Sequence, residues 1–169
     1  HYVSNARHST LYYASLFGFK IVGYLGPETG VRDRVSYLLK QNDLVFAISA
    51  GLVPGHPIQQ WVNLHGDGVG EISLRVSDPA RSLAFALEAG AEKVSDAITV
   101  RDEHGAFVRA TIGIYGETTL SFINRDNYSG VLPGYKPYEG PQYAKQDCGL
   151  KAVDHIVGNV HEGEMNRWA

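Results

Sequence analysis

The sequence predicts an α+β chain of two tandem βαβββ units, followed by the first strand and helix start of a further module. Three observations carry that prediction. A helix pattern followed by three strand-like runs occurs twice, on either side of the Gly-rich break His65-Gly66-Asp67-Gly68. Both helix patterns open on a capping residue and close on a glycine, Gly18 and Gly90. The opening His1-Tyr2-Val3-Ser4-Asn5-Ala6 also matches His155-Ile156-Val157-Gly158-Asn159-Val160 at His, Val and Asn, a self-match that marks a duplicated module.

In chain order, the first residues read as a strand. Ser4 or Asn5 can cap a helix over residues 6–17, with Leu11, Tyr12 and Leu16 as its apolar face and Gly18 as its stop. Strand patterns follow at residues 20–25, 34–40 and 44–49, separated by turn signals at Gly26-Pro27 with Gly30 and at Gln41-Asn42-Asp43. Pro54 and Pro57 break the chain, and residues 58–64 form a short helix leading into the glycine-rich turn. The pattern then repeats. Residues 69–76 read as a strand, Asp78 as an N-cap with Pro79 in the first helical position, and residues 93–101, 107–114 and 118–124 as strands. The turn Asp102-Glu103-His104-Gly105 joins the first two of these.

From Asp126 to Gly149 the composition turns to Tyr, Gly and Pro, and Pro133, Pro137 and Pro141 oppose regular strand pairing. This stretch reads as a linker whose Tyr128, Tyr135, Tyr138 and Tyr143 pin an extended connector to a surface rather than stack a ligand. The expected divisions are 1–125, 126–149 and 150–169. Because the chain starts without Met inside a strand pattern and stops inside a helix pattern, it is expected to be a piece of a longer protein. Two βαβββ units in tandem describe the vicinal-oxygen-chelate, or glyoxalase/bleomycin-resistance-like, architecture, in which two curved four-stranded sheets form an open cup.

Bulk properties exclude several function classes. With 169 residues, 44% of them hydrophobic and 20% charged, the chain can bury a core and is not disordered in composition. A net charge of −3 without a Lys/Arg run leaves no electrostatic footprint for nucleic acid or an anionic membrane. No apolar stretch approaches bilayer length. One cysteine, Cys148, allows no internal disulfide, so a reducing, cytoplasmic setting is expected.

The chemistry turns on Val153-Asp154-His155-Ile156-Val157-Gly158-Asn159-Val160, which reads as a short strand, a Gly turn and a helix opening. Strand alternation would put His155 and Val157 on one face, Asp154 and Ile156 on the other. Taken alone, such a histidine is more often a packed core residue than a ligand. With Met165-Asn166 following, however, the block resembles the opening of the catalytic domain of 4-hydroxyphenylpyruvate dioxygenases. Tyr24-Leu25-Gly26-Pro27-Glu28-Thr29-Gly30, His65-Gly66-Asp67-Gly68-Val69, Tyr115-Gly116-Glu117-Thr118-Thr119 and Leu132-Pro133-Gly134-Tyr135 agree with that family in its order.

The resemblance implies a non-catalytic vicinal-oxygen-chelate module followed by the start of a catalytic one. It implies Fe(II) held by a 2-His-1-carboxylate triad, with His155 as the first ligand and the other two beyond Ala169, and Val157 as an apolar wall of the substrate pocket. It implies O₂-dependent oxidative decarboxylation and ring hydroxylation of 4-hydroxyphenylpyruvate to homogentisate, a step of tyrosine and phenylalanine catabolism, by an enzyme expected to be a homo-oligomer. In the first module the corresponding places hold His1, Glu71 and Ser121. Ser121 stands where the carboxylate is needed and Glu71 where the second His is expected, and a neutral hydroxyl is a poor third ligand for Fe(II), so that cup is expected to be empty, with His1 facing it and Glu71 in need of a partner. Two alternatives stay open: 4-hydroxymandelate synthase, and a stand-alone small-ligand-binding module. Among the other polar residues, His65-Gly66-Asp67-Gly68 reads as a turn, His104 and His161 lack partners at ligand spacing, and His8, just past the first cap, reads as solvated.

Overall fold

The computed structural model describes residues 1–168; Ala169, the last position of the expected 150–169 segment, lies outside the described residues. In chain order the elements are α1 (Ala6–Phe17), β1 (Lys20–Leu25), β2 (Arg34–Gln41), β3 (Leu44–Gly51), α2 (Pro57–His65), β4 (Glu71–Arg75), α3 (Pro79–Glu88), β5 (Glu92–Asp102), β6 (Gly105–Gly113), β7 (Thr119–Asn124), β8 (Lys136–Pro137) and α4 (Met165–Trp168). They fall into two compact units. The first holds His1–Gly68 and Gly134–Ile156, the second Val69–Pro133 and the described residues from Val157 on.

In the first unit the sheet order is β3-β2-β1-β8, and Tyr2 adds a parallel bridge to Ser49 of β3. A parallel partner must be reached by a crossover, which α1 supplies. That helix starts where the Asn5 side chain accepts the His8 N–H at 3.0 Å, and it ends at Gly18, whose φ of 74° favours a residue without Cβ. A Cβ there would also clash with the Gln146 carbonyl oxygen, so the strand-free segment after β8 passes directly against the helix end. The core beneath α1 gathers Val3, Ala6, Phe19, Leu39, Leu44, Ile48 and Ala50. Each large side chain buried here contributes about 1.5–3 kcal/mol of transfer free energy.

Two expectations need correcting in this unit. The inward face of α1 is Ala6, Thr10 and Ala14, whereas Tyr12 and Leu16 are 52% and 62% exposed. Small residues win the inner face because they let the helix axis approach the sheet, and the bulkier Tyr13 fills the margin beside Phe19 and Phe46. The second correction concerns Pro137, which pairs antiparallel with Gly23 while Lys136 pairs with Tyr24. β8 is an edge strand of two residues, where a missing N–H on the outer side costs no ladder bond.

The second unit repeats the topology with the order β4-β7-β6-β5, β4 running parallel to β7 and the other neighbours antiparallel. Asp78 caps α3 by accepting the Arg81 N–H at 3.0 Å, and Pro79 takes the first turn as the sequence predicts. Leu83 of α3 packs on Ala110 and Ile112 of β6, with Leu120 and Phe122 beside them. Two βαβββ units in tandem are the vicinal-oxygen-chelate pattern predicted from the sequence.

Candidate functional site

The short strand expected at the start of residues 153–160, ahead of the Gly158 turn, does not form; the segment is irregular and exposed, and the one-turn α4 follows it. The physical reason is that a strand exists only against a ladder partner, and among the described residues none pairs with this stretch. Alternation therefore does not set the faces of His155 and Val157. The His155 side chain is 72% exposed, and its Nδ1 lies 2.5 Å from an Asp154 carboxylate oxygen. Asp154, expected to face away, is thus the ring's partner. With Nδ1 carrying the proton and donating to the carboxylate, Nε2 presents its lone pair outward, the arrangement found behind many metal-ligating histidines. Val157 is 74% exposed.

What leads up to His155 is firmly tied to the first unit. Gln142 reproduces a strand pair with its side-chain amide: Oε1 accepts the Ile21 N–H at 2.9 Å and Nε2 donates to the Ile21 carbonyl at 2.7 Å. Further on, Gln41 Oε1 accepts the Leu150 N–H at 2.8 Å, Asn42 Nδ2 donates to the Leu150 carbonyl at 2.6 Å, and the Asp43 N–H donates to the Lys151 carbonyl at 3.2 Å. Gln41 and Asn42 read from the sequence only as turn markers. Nothing in composition or spacing tells a turn glutamine that meets solvent from one that meets a distant backbone.

The tyrosines after β7 act as pins. Tyr128 donates to Asp102 at 2.8 Å, and burial together with that carboxylate pushes its phenol up to about 12. Tyr135 donates to Ser36 at 2.7 Å, and Tyr138 sits edge-on to Tyr37 at 6.1 Å.

Glu71 has the partner it needs. Arg109 reaches its carboxylate at 2.9 Å, and the same guanidinium donates through Nε to Ser121 at 3.0 Å and to Thr111 at 3.3 Å. Thr111 and Ser121 are buried cross-strand neighbours whose hydroxyls meet at 2.9 Å. Ser121 is fully buried within this network of the second unit.

His1 belongs to the first unit and corrects another expectation. Its ring lies edge-on to Tyr13 of α1 at 5.8 Å, on the helix side of the sheet that also holds Val3, not on the face carrying Ser36 and Ser49. The His65-Gly66-Asp67-Gly68 stretch is a turn: Gly66 has φ of 78°, Asp67 accepts the Ser4 N–H at 2.7 Å, and Gly68 bridges Tyr2. His104 sits in the β5–β6 hairpin with its ring edge-on to Tyr128, and His8 and His161 are exposed.

Among the described residues no three His, Cys, Asp or Glu side chains gather at metal-binding distance. No catalytic step through iron can be built from the described residues alone. Among the described residues no helix is long and apolar enough to cross a membrane.

No protein-family profile matches the chain. It is 36% identical over 170 residues to 4-hydroxyphenylpyruvate dioxygenase of Dictyostelium discoideum, which covers 97% of this chain and 46% of that protein. It is likewise 36% identical to the Xenopus tropicalis enzyme of the same name, covering 97% and 43%, and 35% identical to that of Caenorhabditis briggsae, covering 96% and 43%. The chain spans a little under half the length of these curated relatives. Among solved structures, a variant of 4-hydroxymandelate synthase from Streptomyces coelicolor superposes with a TM-score of 0.82 at 21% identity, over 99% of this chain and 48% of that one. Methylmalonyl-CoA epimerase from Mycobacterium tuberculosis superposes at 0.55 and 16% identity, over 72% and 81%. These likenesses show the shared fold.

Proposed function

We infer that this chain, a sequence relative of the 4-hydroxyphenylpyruvate dioxygenases across nearly its whole length, works as part of an Fe(II)-dependent enzyme converting 4-hydroxyphenylpyruvate to homogentisate. The observation that carries this is the extent of the agreement: 96–97% of the chain aligns with proteins of that one name. On this reading residues 1–125 are a non-catalytic module, 126–149 connect it, and 150–169 lead into the catalytic module.

His155 is then one of three iron ligands, the other two lying beyond Ala169. Bound iron would orient the 2-oxo acid and O₂ on its open face. The work assigned to this chain's own atoms is narrower. Asp154 holds the proton on Nδ1 of His155 and so keeps Nε2 free to ligate. Val157, exposed in this chain, becomes an apolar wall against the aromatic ring of the substrate. The protein's partners are that substrate and O₂, its assembly is a homo-oligomer, and its place is the cytoplasm, in tyrosine and phenylalanine catabolism.

Product analysis tests the reading. The intact protein, given 4-hydroxyphenylpyruvate, Fe(II) and O₂, is expected to release carbon dioxide and homogentisate. Release of 4-hydroxymandelate assigns the sister reaction at the benzylic carbon, and binding without turnover assigns a ligand-binding role.

A further inference from the structure

We propose that His56 is an acid-released cap of α2, an imidazole that holds the start of the helix when neutral and lets it go when protonated. Helix starts are usually capped by Asn, Asp, Ser or Thr, whose side chains accept from the first free N–H groups. In α2 an imidazole takes that place: His56 Nδ1 accepts the Ile58 N–H at 3.1 Å. Pro57 fills the first helical position, where no N–H is needed. Only a ring with a lone pair on Nδ1 can make this bond, so the capping form is the neutral tautomer with its proton on Nε2. That Nε2 faces the Asp33 carboxylate, 3.7 Å away. The ring is held closely, with its side chain 10% exposed and lying against Gly51, where a Cβ would run into it. The Leu52 N–H donates to the Asp33 carbonyl at 2.8 Å, which keeps the carboxylate's loop alongside.

A second proton would land on Nδ1, opposite an N–H that also donates and at the positive end of the helix. The cap loses its acceptor, while Asp33 attracts the cation that forms. Among the described residues, the charged groups on this ring are Asp33 and, behind it, Arg34, whose guanidinium lies 4.0 Å from the same carboxylate oxygen. Gly51 brings only backbone, and α2 carries no titratable side chain except His65 in its last turn. Histidine is the side chain that changes charge between about pH 5 and 8, so acid removes the cap and base restores it. The rest of α2 shows what the cap protects. Trp61 sits edge-on to Tyr2 at 5.6 Å, and just past the helix Asp67 accepts the Ser4 N–H while Gly68 bridges Tyr2. The residues leading into α1 are thus seated on α2 and its turn.

The test follows amide hydrogen exchange of residues 58–62 in the intact protein between about pH 8 and about pH 5, each rate divided by the intrinsic rate at that pH. Wild type is compared with His56→Asn and His56→Ala, since asparagine caps a helix without titrating. Expected is a wild-type protection that falls about fivefold towards the acid end, the weight of one typical cap. His56→Asn should give a flat profile, and His56→Ala one that is already low at the alkaline end. A flat wild-type profile, or the same loss in wild type and His56→Asn, overturns the proposal. Protection in β2 of the same unit serves as the control, and a loss there in step with α2 assigns the change to general unfolding and overturns it as well.

Discussion

The Arg109 guanidinium lies 2.9 Å from the Glu71 carboxylate and bridges from it to the buried Ser121 hydroxyl. Glu71 looked from the sequence like an acid in search of a partner, and that partner comes from a strand two places away in the sheet, β6. Because Arg109 serves a carboxylate and two hydroxyls at once, removing it takes the cation from Glu71 and a donor from both hydroxyls, which keep only their bond to each other. Arg109→Met is expected to destabilise the chain by about 1–3 kcal/mol in urea titration, and adding Glu71→Met to recover part of that loss. A double variant no more stable than Arg109→Met alone would show that Glu71 is indifferent to its partner.

Helix α1 offers a contrast between inner and outer faces. Ala14 is fully buried and Leu16 largely exposed. Ala14→Leu is expected to cost about 1–3 kcal/mol by overpacking, whereas Leu16→Ala should stay within about 0.5 kcal/mol. Denaturant midpoints of the two variants check this, and equal effects would contradict the inner face assigned here.

How legible the fold was depends on what each residue's signal reports. The caps Asn5 and Asp78, the stop at Gly18 and the hairpin at Asp102-Glu103-His104-Gly105 act through their own backbone, so local sequence carried them. The face of α1 was misread because hydrophobicity ranks Leu16 above Ala14, while helix–sheet approach favours the smaller residue. Pro137 was misread because its ban on pairing holds for central strands and not for a two-residue edge. At the site, His155 stood out through its motif, but the strand around it did not form without a ladder partner. Gln41, Asn42 and Arg109 stayed invisible because their roles lie in long-range contacts that leave no periodic trace.

The Tyr128–Asp102 pin predicts an alkaline weakness. Burial and the neighbouring carboxylate raise the Tyr128 phenol from the ordinary 10 to about 12. A raised folded value means that the stabilisation is complete below the unfolded value and is lost as pH rises from about 10 to about 12. Stability measured across that window should fall more steeply in the wild type than in Tyr128→Phe, which has no phenol to ionise. Parallel curves would remove Tyr128 from the account.

The N-caps give a further check. Asn5→Ala and Asp78→Ala each remove a side-chain acceptor from the first turn of a helix and should each cost about 1 kcal/mol, with little loss for the glycine variants. Helical circular dichroism at intermediate urea reads the difference, and alanine variants as stable as wild type would contradict the capping geometry.

The central claim is that His155 supplies an iron ligand in a 4-hydroxyphenylpyruvate dioxygenase. Its most direct test is the Fe(II) content and homogentisate yield of the intact protein, wild type beside His155→Ala, prepared under anaerobic conditions. The account predicts that the wild type holds iron and forms homogentisate and that His155→Ala loses both. Iron and product retained in His155→Ala would contradict it.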